Sequence, residues 1–430
     1  MQMAKAYMDD ELTANPPKWM PWVVCIAASL FLFYECIQGN MFASIANDIM
    51  RDFHIHADKM TYLSSMYYVS NVIFLFVAGM VLDRFSPKKT MLIAMLFCVL
   101  STFVLAKSNT FYVALVCRFI VGIGSAFCFL GPIRIASRWF LPQQMAMVTG
   151  MVVTISMMGG LLAQYPLTRL VLDVGWREAL LLIAWMGVAL FFMMVFLVKD
   201  RSDAQATEAP TQQLTLLATM KKAYLNLQTW RAALYASLVD MPVAVFGAMM
   251  GSLYLMQRLH VTQDKASMIN SMLFVGAIVG GPVMGWLSDR LSLRLLPMKL
   301  GLLASLTVVL AVLYLPVSYV MMIVLFFFLG LFTSSQVISY ALVAESAPLT
   351  MTATAVSMVS ILTQGGYVVY QNLFSTLLTR HGGLHIVNDV PVYSLADYQF
   401  AAIVLPLGLL VALFAIKGLR ETHCRHIQEA

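Results

Sequence analysis

Three charged side chains stand where charge is costly. Glu35, Arg118 and Asp240 each fall deep inside a long apolar run. Glu35 lies roughly 15 residues into the first run and Asp240 roughly 10 into the seventh, depths of about 22 and 15 Å at ~1.5 Å per residue. A carboxylate surrounded by hydrocarbon normally faces a cavity or a partner, and acids in such places serve as substrate ligands or proton relays. A permanently paired structural acid is the plainer reading of each. Arg118 stays charged, so it requires an acid, carbonyl oxygens or an anionic solute beside it. All seven histidines (54, 56, 260, 381, 385, 423 and 426) fall in loops or the tail, so none is a buried proton carrier.

The composition explains why these three are conspicuous. The 430-residue chain is 60% hydrophobic and 11% charged, with a mean hydropathy of +0.81. Soluble domains average about 25% charged residues. A soluble enzyme, a disordered chain and a nucleic-acid binder are therefore excluded, and an all-α polytopic membrane protein remains. Five cysteines (Cys25, Cys36, Cys98, Cys117 and Cys128) sit in apolar stretches as small hydrophobes. Cys424 lies between His423 and His426 in a polar tail, read as a solvated tail with no metal site and no cofactor. The polar start of the chain and the length of the first apolar run argue against a cleavable signal peptide.

Twelve apolar runs are predicted as spans, at about 20–46, 60–82, 90–107, 109–137, 143–170, 177–198, 230–257, 266–288, 299–316, 318–343, 350–378 and 399–418. They divide the chain into a cytoplasmic segment 1–19, a six-helix bundle 20–198, a polar linker 199–229, a second six-helix bundle 230–418 and a tail 419–430. Lys and Arg favour the face of the termini and linker by about two to one, which predicts N-in/C-in topology. The halves repeat at one offset: Gly79 to Arg84 aligns with Gly285 to Arg290, Gly124 with Gly330, Pro142 with Pro348, and Gly159-Gly160 with Gly365-Gly366. Glu35 and Asp240 stand within one residue of that offset. Parallel repeats of this kind are a transporter construction, with the solute handled between the halves.

The segment Gly79-x-x-x-Asp83-Arg84-Phe85-Ser86-Pro87-Lys88-Lys89 resembles the loop 2–3 signature of the major facilitator superfamily, with a weaker copy in Gly285, Asp289, Arg290 and Arg294. Arg118-x-x-x-Gly122-x-Gly124 resembles its fourth-helix motif. Ser137-Arg138-Trp139-Phe140-x-Pro142, followed by Gly175-Trp176-Arg177, is similar to its bacterial organic-anion and nutrient uptake branches. The resemblance implies the twelve-helix, two-bundle fold of that superfamily, a monomer, and a bacterial inner-membrane location. It also places spans 1 and 4 side by side, making Glu35 the expected partner of Arg118, as a coupling pair or a static one. Asp83, Arg84, Arg134, Arg138, Asp289, Arg290 and Glu345 are then candidates for a cytoplasmic gate that holds the outward-open state.

Polar and aromatic residues concentrate in particular spans, which marks a central aqueous path. Its candidate lining is Tyr34 and Gln38 in span 1, Tyr67 and Asn71 in span 2, and Gln164 and Tyr165 in span 5. Gln336 and Tyr340 in span 10 and Gln364, Tyr367 and Gln371 in span 11 complete it. Spans 3, 6, 9 and 12 are almost purely apolar and read as lipid-facing. No Gly-x-x-x-x-Gly-Lys-[Ser/Thr] occurs, so ATP-driven transport has no support. No clustered nucleophile or metal set suggests an enzyme, and no filter-like segment suggests a channel.

The expectation is a proton-coupled secondary transporter working by alternating access. It imports a small polar or anionic organic solute, such as an organic acid or amino acid; proton-antiport export of drugs or siderophores is the alternative. A non-transporting receptor is the competing class. The partners expected are the solute, protons and the lipid bilayer, with no nucleic acid. Topology is testable directly. Green fluorescent protein fused after Ala430 should fluoresce, and alkaline phosphatase inserted at His54–His56 should be active; the reverse pattern would invert the assignment.

Overall fold

The computed structural model describes Pro17 and residues 19–140, 144–200, 226–347, 352–381, 385–387 and 390–425. Most of segment 1–19, most of the 199–229 linker, Pro142, Gln143, Pro348 and His426 lie outside the described residues. In a hydrocarbon medium every backbone N–H and C=O must be bonded internally, so the apolar runs become helices. The first half contains α1 (Met20–Asn40), α2 (Phe42–Phe53), α3 (Ala57–Arg84), α4 (Pro87–Ala106) and α5 (Phe111–Ser125). It continues with α6 (Leu130–Trp139), α7 (Met145–Leu162), α8 (Tyr165–Val174) and α9 (Trp176–Leu197). The second contains α10 (Leu227–Val239), a π-helical stretch Val243–Met250, α11 (Gly251–Leu259), α12 (Gln263–Leu291) and α13 (Leu295–Tyr314). After these come α14 (Tyr319–Thr333), α15 (Val337–Ser346), α16 (Thr352–His381), α17 (Leu395–Ala402) and α18 (Val404–Lys417). A two-stranded antiparallel hairpin, β1 (His385–Val387) and β2 (Val390–Val392), lies between α16 and α17, outside the spans.

Among the described residues, nine helical stretches are long and apolar enough to cross a membrane, and ten if the bent pair Leu227–Val239 and Val243–Leu259 counts as one. Helices α3, of 28 residues, and α16, of 30, have the length but are more polar. They are the helices that carry Tyr67, Asn71, Gln364, Tyr367 and Gln371. The chain is thus a multi-pass helical membrane protein. Breaks occur where local chemistry dictates. Ser86 caps α4, accepting the Lys89 N–H at 3.2 Å, and Pro87 occupies the first turn, where its missing donor is harmless. Asp240 closes α10 just before Pro242, and the helix bends by 42° there.

The repeat seen in the sequence is present in the backbone. His54 and His260, 206 residues apart, both adopt the left-handed conformation (φ 49° and 50°) at the ends of α2 and α11. Helices α3 and α5 pack closely in the first half, as α12 and α14 do in the second. A Cβ on Gly122 would fall 2.2 Å from the Tyr67 carbonyl oxygen, and one on Gly330 would fall 1.9 Å from that of Leu273. Only glycine permits these approaches. Helices α4, α9, α13 and α18 leave large apolar side chains exposed, among them Phe97, Phe196, Leu300 and Phe414, as lipid-facing helices must.

Across the halves, α3 packs against α16 and α12 against both α7 and α8. The Gly175-Trp176-Arg177 motif proves to be a brace. Gly175 has φ 84°, the Trp176 indole donates to Asp52 Oδ2 at 2.8 Å, and Arg177 pairs with the same oxygen while reaching the Ser108 carbonyl. Partial burial alone would raise the Asp52 carboxyl, but the Trp176 and Arg177 donors outweigh it and hold it below its ordinary range. A depressed carboxyl adds stability that is complete above its unfolded value and lost as pH falls through its folded one. Asp52→Asn should therefore cost about 1–3 kcal/mol at neutral pH. The melting-temperature gap from the unsubstituted protein should close as the detergent-solubilised samples are acidified; a constant gap would contradict this role.

Candidate functional site

Arg118 lies on α5 and is fully buried. Its Nε donates to the Leu63 carbonyl at 3.1 Å. The guanidinium carbon stands 4.8 Å from the ring centroids of both Phe42 and Tyr67, contacts that stabilise a desolvated cation by about 2 kcal/mol or more. The two terminal nitrogens, Nη1 and Nη2, have no hydrogen-bond partner. Glu35, on α1, is 1% exposed, and neither carboxylate oxygen has a hydrogen-bond partner. No ion pair within 4.0 Å joins Glu35 to Arg118 among the described residues, so the two do not form a direct pair here. The guanidinium is instead positioned by a carbonyl and two rings.

Asp240 differs from its repeat counterpart. It sits at the break after α10, where Oδ1 accepts from Gln336 Nε2 at 2.7 Å and Oδ2 from the Tyr367 hydroxyl at 3.0 Å. Both oxygens are thus satisfied by neutral donors from α16 and the short 3-10 turn Ser334–Gln336. A π-helical stretch follows directly, as is common near functional positions. Tyrosines link the two acids' surroundings. Tyr67 packs edge-on against Tyr68 at 4.9 Å, and Tyr68 packs against Tyr367 of the other half at 4.7 Å. Tyr67 and Tyr68 also donate to the backbone carbonyls of Glu35 and Gly39.

The remaining candidates separate into groups. Tyr34 and Gln38 both bond Thr102 of α4, at 3.1 and 3.0 Å. Positions four apart share a helix face, and Glu35 is turned about 100° from Tyr34; Tyr34 and Gln38 therefore pack inside their own half. Asn71 donates to Ser125 within that half at 2.7 Å. Gln371 donates to the Ala244 carbonyl at 3.0 Å, and Tyr340 and Gln364 are half-buried.

Gln164 and Tyr165 lie on the contact between halves. Gln164 donates to the Gly247 carbonyl and accepts from Asn270, the Tyr165 N–H reaches Ser271, and Thr168 reaches Ser267 at 2.8 Å. Gln263 donates to the Ser44 carbonyl, and Arg169 pairs with Asp264 at 3.2 Å. These cross-half polar bonds lie away from the face that carries the linker ends.

Ion pairs lie on the linker face. Arg138 meets Asp200 at 3.6 Å, and Arg294 meets Asp289 and Glu345, each at 2.6 Å. Arg290 lies over Trp286, Arg84 is exposed at the end of α3, Arg134 is exposed midway along α6, and the Asp83 side chain lies outside the described set. The tail joins this network. Glu421 accepts the Arg294 and Leu295 N–H groups at 2.7 and 2.8 Å, and Thr422 donates to Glu345. Partial burial would raise the Glu421 carboxyl, but these backbone donors leave it below its ordinary value.

Sequence reasoning missed Phe42, Thr168, Glu421 and Thr422. Phe42 follows Glu35 by two helical turns, a spacing that could have flagged it. Arg294, 206 residues after Lys88, belongs to the weaker copy of the loop 2–3 signature and was legible through the repeat. Nothing local marked Glu421.

The fold and its buried charges define a multi-pass helical membrane protein of two repeated halves. The Major Facilitator Superfamily matches residues 26–243 and 232–425, and the chain belongs to that family. A hexuronate transporter of Bacillus subtilis (strain 168) is 25% identical over 42% of this chain, which spans 44% of that protein's length. A membrane sensor protein of Escherichia coli (strain K12) is 24% identical over 70% of the chain and 72% of its own. The solved D-xylose-proton symporter has the same fold, with a TM-score of 0.77 at 12% identity over 94% of this chain and 99% of that one.

The contact at Thr168 and Ser267 can be trapped. The double variant Thr168→Cys with Ser267→Cys should form a disulfide on mild oxidation, read as the loss of two labelable thiols by intact mass. Full labelling after oxidation would contradict the closed arrangement of this face.

Proposed function

We propose that this protein is a proton-coupled secondary transporter that works by alternating access and imports a small polar or anionic organic solute. The observation that carries this reading is the pair of buried side chains of opposite type, Glu35 and Arg118, whose carboxylate oxygens and terminal nitrogens have no hydrogen-bond partner. The stretches 20–198 and 230–418 act as six-helix bundles, twelve spans in all, joined by a cytoplasmic linker at 199–229 with both termini inside. A monomer in a bacterial inner membrane fits this arrangement.

In that orientation the bonds around Gln164, Thr168 and Asn270 close the outer face, and the site is served from the cytoplasm. Arg118 holds the anionic group of the solute, because a bidentate guanidinium contact is both strong and oriented. Asp240, the second buried acid, exchanges the coupling proton. The Tyr67–Tyr68–Tyr367 chain links the Arg118 site to this step in the second half. Gate residues Asp83, Arg84, Arg134, Arg138, Asp289, Arg290 and Glu345 change partners as the cytoplasmic face closes. Likeness to a hexuronate transporter supports a carboxylate-bearing solute. Likeness to a sensor supports a second reading, in which binding occurs without transport.

Proteoliposomes with an imposed inward proton gradient separate these readings. A panel of radiolabelled organic acids and amino acids should contain a solute that accumulates and is released by an uncoupler. Arg118→Ala should lower its uptake about thirtyfold or more, the loss expected when a buried charge partner is removed. Asp240→Asn should abolish concentration against a gradient while solute exchange persists. Binding with no uptake under any gradient would favour the sensor reading, and gradient-driven loss from the vesicles would favour export.

A further inference from the structure

We propose that the site is built for an amphoteric solute, one whose carboxylate lies on the Arg118 Nη1/Nη2 edge and whose ammonium lies on Glu35. The inference rests on the transport reading above for its setting and narrows the solute class within it. A buried guanidinium and a buried carboxylate in one half are ordinarily satisfied by a direct bidentate pair. Here the fold holds them apart. Arg118 is tied by the Leu63 carbonyl and by the rings of Phe42 and Tyr67. Glu35 lies on a helix whose adjacent face is bonded through Tyr34 and Gln38 to Thr102. The result is two acceptor atoms and two donor nitrogens, all buried and all without hydrogen-bond partners in the protein.

The separation selects against a singly charged ligand. A plain carboxylate satisfies the Arg118 edge but leaves Glu35 unpartnered and adds a like charge near it. A plain amine satisfies Glu35 and leaves Arg118 unmatched. A solute with both groups completes both, and the two charges are neutralised within one ligand. Asp240 does not compete for the ammonium, since Gln336 and Tyr367 already occupy its oxygens. Phe42 and Tyr67 add an apolar flank beside the carboxylate end, which favours a compact solute backbone there.

The test uses the full-length protein in detergent and in vesicles. The twenty standard L-amino acids, 4-aminobutyrate and glycylglycine are compared by thermal shift, each against its des-amino carboxylate and its decarboxylated amine. At least one amphoteric compound should bind more than about tenfold tighter than both analogues, because a site built for a polar group rejects ligands lacking it. Glu35→Gln, which preserves volume, should erase the advantage over the carboxylate analogue. Arg118→Lys should weaken the amphoteric compound while leaving the amine analogue unchanged.

Equal binding of a carboxylate and its amino acid overturns the proposal, as does a preference that survives Glu35→Gln, or an absence of binding by every member. Uptake into vesicles tells the two readings apart. An amphoteric compound that binds but is never transported overturns the transport reading and leaves the ligand class standing. An organic acid that is concentrated with no amino group required does the reverse.

Discussion

A guanidinium that no solvent reaches sets the terms for the first half of this molecule. Arg118 is fully buried and permanently charged, so neighbouring elements must supply what water would have supplied. Leu63 offers a backbone carbonyl from the helix interior, and Phe42 and Tyr67 offer ring faces. Phe42 belongs to α2 and the other two to α3, while Arg118 itself projects from α5. The spacing of α2, α3 and α5 is therefore part of the electrostatic solution, and the close approach at Gly122 helps to set it.

From this centre the structure extends across to the second half through aromatic contact. Tyr67 touches Arg118 and Tyr68, Tyr68 touches Tyr367, and Tyr367 donates to Asp240. The repeat is only partly obeyed at the acids themselves. Asp240 closes a broken helix and is fully hydrogen-bonded, whereas Glu35 lies within a continuous one and has free oxygens. Two positions that look equivalent along the chain thus hold different chemistry, because the local backbone and its donors differ.

The two faces of the protein are also unlike. Neutral amides and hydroxyls knit the halves around Gln164, Thr168 and Asn270. Charged groups predominate at the linker face, where Arg294 pairs with Asp289 and Glu345 and the tail residue Glu421 caps α13. Neutral hydrogen bonds cost little to exchange for water.

Composition and spacing alone determined that the chain is helical and membrane-spanning, where most spans begin and end, and that it repeats at 206 residues. These are consequences of one-dimensional physics, since hydrocarbon demands helices and a helix length follows from the run of apolar residues. The same reading isolated Glu35, Arg118 and Asp240, because charge inside such a run is rare. It could not say what each one touches. Tyr34 and Gln38 looked like lining residues yet turn toward Thr102, and the expected contact between Glu35 and Arg118 is absent. Helix rotation and the carbonyl of a distant residue made those choices. Such contacts depend on how helices pack in three dimensions, which no local pattern of residues records.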